Sequence, residues 1–389
     1  VSSPSKQIPV IVLTGFLGSG KTTLLNHLLR ASRGTRIGAV VNDFGSIEID
    51  AMTVAGRLGD STVSLGNGCL CCAVDASELD VYLDRLTRPA ARLDVVVIEA
   101  SGLAEPQELV KMVLASENPR VVYGGLVEVV DAAEYDATRQ RHPEIERHLA
   151  IADLVVLNKA DRAAAADLAR LRASLTTPAA VVEAAYGRVD PELFFDPKPV
   201  TERIGQLAFD DLLDDGTSGG CAEDHDHHAG CHGHPAHLHT GYESLAFTSD
   251  VPLDPRALMA FLDTRPDGLY RIKGFVDFGA ADPRNRYSLH AVGRFLRFFP
   301  EPWTAGQPRR TELVLIGAGI DAPALKDQLA GCVSADPDEV PAEHAMWGVL
   351  RYVPEPEPEP EREPEPEREP EPEREPEPGP GPEPGPEPE

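Results

Sequence analysis

The sequence predicts an α/β protein, a mostly parallel sheet covered by helices and followed by a small α+β domain, on three observations. Between Pro9 and about Pro191, short runs of Val, Ile and Leu alternate with stretches of helical spacing. Strands apolar on both faces belong to parallel sheets sandwiched by helices. A glycine-rich turn at 15–22 stands between one such run and an amphipathic stretch, as a strand-turn-helix unit requires. After about residue 240 the order becomes mixed and the elements few, which suits a small α+β unit.

Taken in order, residues 8–13, 36–41, 95–98, 121–130 and 154–157 read as buried strands. Residues 23–30, 76–86, 106–114 and 163–175 have helical spacing. Residues 210–240, rich in Asp, Gly and His, keep no apolar periodicity and read as a loop or linker. Beyond Gly241, residues 244–248, 289–298 and 312–316 read as strands, and 255–262 and 322–329 as helices. After Val353 Pro alternates with Glu; missing backbone donors and mutual repulsion forbid a core there. The expected organisation is 1–195 for the sheet domain, 196–240 for a linker, 241–352 for the α+β domain and 353–389 for an extended tail.

The net charge is −28, and the tail from Pro354 to Glu389 holds 15 Glu and 3 Arg, so much of the excess acid sits outside the folded chain. Such a tail reads as a solubilising appendage or a docking arm for a basic partner. No basic face is available, so direct nucleic-acid binding is not expected. No apolar run approaches the roughly 18 residues of a membrane span, so no membrane partner is expected either. The first residues lack a signal-peptide layout, and three of the six cysteines crowd into 69–72. Such crowding suits thiolate chemistry in a reducing compartment, and the expected location is cytoplasmic. The sequence specifies no oligomeric state.

The turn Gly15-Phe16-Leu17-Gly18-Ser19-Gly20-Lys21-Thr22 fits G-x-x-x-x-G-K-[ST]. Gly15, Gly18, Ser19 and Gly20 let backbone N–H groups close on phosphate oxygens, and Thr23 continues into the helix. Lys21 supplies a mobile cation, and Thr22 offers a hydroxyl to Mg²⁺. Downstream, Asn158-Lys159-Ala160-Asp161 follows an apolar strand. Asp161 can accept from the guanine N1 and N2 donors, the Lys159 stem can lie along the base, and Asn158 can tie loops together. At the C-terminal edge of a parallel sheet, where such sheets bind ligands, this pattern points to GTP. Glu99, at the tip of the 95–98 strand, can orient a water on Mg²⁺, and the N–H of Gly102 can approach the γ-phosphate.

Cys69, Cys71 and Cys72 can ligate one soft or borderline cation, for which Zn²⁺ fits best by softness and supply. Asp43 is the candidate carboxylate for the fourth position. Residues 221–239 add Cys221, Cys231 and seven of twelve histidines: His225, His227, His228, His232, His234, His237 and His239. Imidazoles at that density suit Zn, Ni, Co or Cu in several weak, exchanging modes.

With these motifs in this order, the chain resembles the CobW-type metallochaperone GTPases, relatives of the GTPases that insert nickel into hydrogenase and urease. The resemblance rests on GFLGSGKTTLLNHLL at 15–29, VNDFGSIEID at 41–50, GNGCLCC at 66–72 and VVVIEASGLAEP at 95–106, extended by NKAD at 158–161 and LYRIKGFV at 269–276. It implies a P-loop GTPase domain with a small α+β C-terminal domain. Lys21 and Thr22 would serve phosphate and Mg²⁺, Glu99 and Gly102 the second switch, and Asp161 the guanine. It further implies that Cys69, Cys71 and Cys72 bind the transferred metal between the two switches. Relatives commonly carry Glu in the first-switch stretch where this chain has Asp43.

The expected function is a GTP hydrolase that loads a divalent metal, zinc ahead of cobalt or nickel, onto a client metalloprotein. Three other readings stand beside it: a metal buffer or sensor with vestigial hydrolysis, a regulatory GTPase remodelling a protein or ribonucleoprotein, and an ATP-using protein, which NKAD disfavours. A cobalt- or cobalamin-linked setting is compatible with the first.

Overall fold

A computed structural model describes residues 7–32, 34–41, 62–64, 76–102, 104–196, 241–336, 342 and 344–354, with 62–64 and 76–78 described by backbone alone. Asp43, Cys69, Cys71, Cys72, the histidine tract and the Pro-Glu tail therefore lie outside the described residues.

Among the described residues, seven strands form an all-parallel sheet: β1 (Ile8–Thr14), β2 (Ile37–Val41), β3 (Thr62–Ser64), β4 (Val95–Glu99), β5 (Val121–Asp131), β6 (Leu154–Asn158) and β7 (Ala180–Glu183). Their order across the sheet is β3-β2-β4-β1-β5-β6-β7. β2, β4 and β6 are buried along their whole length, as apolar strands covered on both faces must be. On one face α1 (Lys21–Arg30) sets Leu24, Leu25 and Leu28 into a core with Ile11, Leu13, Val127 and Val129. On the other, α2 (Ala76–Leu86) and α3 (Pro106–Leu114) place Leu79, Leu83, Leu109 and Val113 against Val10, Val12, Val96 and Ile98. Full burial of each leucine contributes roughly 1.5–3 kcal/mol. Two short helices, α4 (Tyr135–Arg141) and α5 (Ile145–Ile151), and α6 (Ala165–Ser174) complete this layer.

The second sheet is antiparallel, with order β11-β10-β9-β12-β8. Its strands are β8 (Glu243–Ser249), β9 (Leu269–Val276), β10 (Asn285–Val292), β11 (Phe295–Pro302) and β12 (Thr311–Gly317). α7 (Pro255–Asp263), α8 (Ala322–Ala330) and α9 (Trp347–Leu350) supply Leu258, Leu262, Leu325, Leu329 and Val349 to its core. Asp254 and Asp321 cap α7 and α8 by accepting from Ala257 N at 2.8 Å and Ala324 N at 3.0 Å, and a proline stands in the first turn of each helix.

The single strand expected over 289–298 is corrected to a hairpin: β10 turns at Gly293-Arg294 into β11, with Val292 opposite Phe295. Gly293 takes φ +52, and a side chain there would collide with the Asp153 carboxylate. Apolar residues continue on both sides of so short a turn, so the reversal leaves no break in the hydrophobic pattern.

The two sheets share a core. Tyr270, Val292, Ile316 and Ala318 of the second pack with Val182, Val189 and Phe194 of the first. Polar ties join them: His290 Nε2 donates to Tyr123 O at 2.9 Å, Tyr242 OH to Asp190 Oδ2 at 3.0 Å, and Gly268 N to Pro178 O at 2.9 Å. Arg271 donates to Phe194 O at 3.2 Å, and Lys273 pairs with Asp196. Burial and the Arg271 charge push the His290 imidazole down to about 4, so at neutral pH it is neutral and its Nε2–H is the donor. Among the described residues no helix is long and apolar enough to cross a membrane.

Candidate functional site

Parallel strands deliver their C-terminal ends to one edge, and register brings the site together there. Leu13 lies opposite Glu99, Thr14 opposite Glu128 and Asp131 opposite Asn158. The chain leaving β1 at Thr14 turns through 15–20 and enters α1 at Lys21. The first turn of α1 carries no side-chain cap, which leaves its N–H groups and the positive end of the helix dipole facing the loop.

Lys21 is buried, and its ammonium donates to Gly15 O at 2.9 Å and Phe16 O at 3.4 Å. The hydroxyl of Thr22 donates to Glu99 Oε1 at 2.6 Å, across 77 residues of sequence. This pair gathers two hard oxygen donors at the mouth of the loop, the donor type Mg²⁺ selects. Gly102 approaches the loop so closely that a Cβ would stand 2.8 Å from both the Cα and N of Leu17. Ser19 is also buried within the loop, whereas Leu17 is exposed.

Asn158 sits at the tip of β6, buried, and works in both directions. Its Nδ2 donates to Ser19 O at 2.9 Å, and its Oδ1 accepts from Gly187 N at 2.9 Å. Lys159 takes the left-handed φ of 58° and donates to Gly18 O at 2.7 Å and Asp131 Oδ2 at 2.6 Å. Asp161 follows in a short 3₁₀ turn and is exposed, free to meet a ligand. The fold thus gathers Gly15, Gly18, Ser19, Gly20, Lys21, Thr22, Thr23, Glu99, Gly102, Asn158, Lys159 and Asp161 on one edge of the sheet.

Three contributors were not read from sequence. Asp131, at the end of β5, is the partner of Lys159. The loop after β7 supplies Gly187 N and presents Tyr186, exposed and at φ 55; its Tyr-Gly pair was the available signal. Glu128 is fully buried, neither of its carboxylate oxygens has a hydrogen-bond partner, and burial raises its carboxyl to about 8 against the attraction of Lys21. Among the described residues no group of three or more His, Cys, Asp or Glu is placed to hold a metal.

Comparison with known proteins agrees with this geometry. Residues 9–182 match the model of the CobW/HypB/UreG nucleotide-binding domain, and 242–333 that of the cobalamin synthesis protein cobW C-terminal domain. The chain is 35% identical over 366 residues to "Zinc chaperone CobW" of Pseudomonas aeruginosa, covering 83% of this chain and 91% of that one. A Sinorhizobium protein of the same name is 30% identical, over 80% of this chain and 93% of its own. "Zinc-regulated GTPase metalloprotein activator 1" of Schizosaccharomyces pombe is 32% identical over 47% of each chain. With a glycine-rich loop on a lysine and threonine, an acidic strand tip beside that threonine, and this breadth of similarity, the chain belongs to the CobW/HypB/UreG family of P-loop GTPases.

Proposed function

We propose that this protein is a GTP-driven metal chaperone that passes a divalent ion, zinc first among the candidates, to a client metalloprotein. The names of its relatives support the zinc chaperone reading, and one observation supports the coupling. Ser64 of β3 pairs with Val41 of β2, and Val41 pairs with Glu99 of β4. Val41 and Ser64, the last described residues before Asp43 and before Cys69, Cys71 and Cys72 in sequence, therefore stand beside the acidic tip that holds Thr22. A change at a bound γ-phosphate or Mg²⁺ would be felt by Thr22, Glu99 and Gly102, and through adjacent strand tips by Val41 and Ser64.

In this reading the loop from Gly15 to Thr23 cradles the phosphates, and Lys21 balances their charge. Thr22, with Glu99 through a water, holds Mg²⁺, which when bound neutralises the β- and γ-phosphates. Gly102 reports on the γ-phosphate, and Asn158, Lys159 and Asp161 hold the guanine. Zn²⁺ is cargo on Cys69, Cys71 and Cys72 with Asp43. The histidine tract within linker 196–240 gathers metal and raises its concentration near the thiolates. The GTPase unit spans 1–195 and the C-terminal unit 241–352. The tail solubilises the chain, and the setting is cytoplasmic.

Only a difference in affinity between nucleotide states can drive such a transfer. The test is a competitive zinc titration of reduced protein with Mg²⁺ plus GDP or a non-hydrolysable GTP analogue, on the full chain and on a chain lacking 221–239. The expected result is a site at least about tenfold tighter with the analogue, a coupling of about 1.4 kcal/mol, and lost in Cys71→Ser. Equal affinity in both states would leave a passive metal site and a metal buffer.

A further inference from the structure

We propose that Glu128 is a proton-linked counter-charge to Lys21, so that phosphate binding at the loop is coupled to proton uptake by the Glu128 carboxyl. The inference rests on the nucleotide-binding role of the phosphate loop. Glu128 lies on β5 directly opposite Thr14, the last residue before that loop. Its neighbours Val127 and Val129 point into the core under α1, so Glu128 points to the other side, beneath Phe16 and towards α5. There it lines a cavity of about 70 Å³ behind the loop, room for about two waters.

The titratable groups facing this cavity come from four places. Glu105 precedes α3, His142 and Glu144 lie between α4 and α5, His148 lies on α5, and Glu128 itself forms the floor. His148 stands 3.5 Å from Glu105, and its burial disfavours the charged imidazole. A backbone hydrogen bond, and after it the one to His142, holds the Glu144 carboxyl below its ordinary range. The ring of Phe16 lies over His142, with centroids 4.4 Å apart. The cation that opposes the cost of an ionised Glu128 is Lys21, approaching from α1.

That arrangement has a consequence when phosphate arrives. The same ammonium cannot serve two anions undiminished: phosphate oxygens compete for Lys21 and add negative potential beside a carboxylate with no hydrogen-bond donor. The ionised form loses its support, and a proton from solvent, entering by the cavity, neutralises it. Without nucleotide, burial holds the carboxyl up at about 8 despite Lys21. Binding at pH 6.5 finds it already protonated and takes up almost nothing. Binding at pH 8 takes up to about half a proton, and affinity falls as pH rises further.

The test is calorimetric titration of the full chain with GDP and Mg²⁺ in buffers of different ionisation heat, at pH 6.5 and 8.0, for the natural chain and Glu128→Gln. Ionisation of GDP itself is common to both and cancels. The expected result is about half a proton more taken up by the natural chain than by Glu128→Gln at pH 8.0, equal counts at pH 6.5, and a GDP affinity in the variant that no longer declines from pH 7 to 9. Equal proton counts at pH 8.0 in two chains that both bind GDP would overturn the inference. A natural chain that binds no GDP at either pH would instead overturn the nucleotide site. Should Glu128→Gln fail to fold, the natural chain decides alone: its proton count must rise between pH 6.5 and 8.0 beyond that of free GDP.

Discussion

The side-chain amide of Asn158 joins two loops that are far apart in sequence: it donates to Ser19 O and accepts from Gly187 N, each at 2.9 Å. The phosphate loop and the loop after β7 are thereby held against one strand tip. Asn158→Ala removes both bonds and leaves buried backbone groups without partners, at a cost of roughly 1–3 kcal/mol. Guanine-nucleotide affinity, measured with a fluorescent GDP, should weaken by roughly 5- to 150-fold. An unchanged affinity would show that the amide does not organise the pocket.

The Thr22–Glu99 pair concerns turnover more than binding. Glu99→Gln keeps the size of the side chain and removes its charge, so, on the proposed role of Glu99, positioning of a Mg²⁺-bound water would be lost. We expect GTP turnover to fall on the order of 100-fold while GDP affinity in the absence of Mg²⁺ stays near that of the natural chain. Initial rates across a Mg²⁺ series, for Glu99→Gln and Thr22→Ala, check this.

At Gly102 the constraint is steric. A methyl group there meets the Leu17 backbone at 2.8 Å, so Gly102→Ala must push the segment after β4 away from the loop. Hydrolysis is expected to fall by at least about tenfold with GDP binding retained, since only contacts made in the hydrolysing state are lost. Single-turnover assays separate the two effects.

The seam between the sheets carries a pH dependence of its own. Burial and Arg271 lower the His290 imidazole to about 4. A histidine whose folded value is depressed adds stability that is present above its ordinary value near 6.5 and lost as pH falls towards 4. Thermal unfolding should therefore drop across that window, by a few degrees on the order expected for a chain of this size. His290→Gln should remove that component, because its amide donates to Tyr123 O without titrating.

Much of this molecule is legible in its sequence. Central strands such as 95–98 and 154–157 are so uniformly apolar that only a doubly covered sheet accommodates them. The loop at 15–22 and the Asn-Lys-x-Asp run are local signals, because backbone turn chemistry and short side-chain reach are set by neighbouring residues. Local pattern failed where the informative contact is distant. Leu289 to Phe298 is apolar enough to pass for one strand, and the turn that divides it passes so close to Asp153, just before β6, that only glycine fits at 293. The partners of the Lys159 ammonium, Asp131 and the carbonyl of Gly18, are likewise distant in sequence.

Sequence alone determined which motifs the chain carries: a glycine-rich loop ending in Lys-Thr, an Asn-Lys-x-Asp run, an acidic strand tip and a Cys-x-Cys-Cys cluster. Those depend on residue type and short spacing. Tertiary structure alone decided which groups meet and which charges are buried. Thr22 meets Glu99 because β1 and β4 are neighbours, and a glutamate within Leu-Val-Glu-Val-Val becomes a fully buried carboxyl because β5 lies between β1 and β6. Coulomb energy and desolvation depend on distance through space and on exclusion of water, and neither is a property of position along the chain.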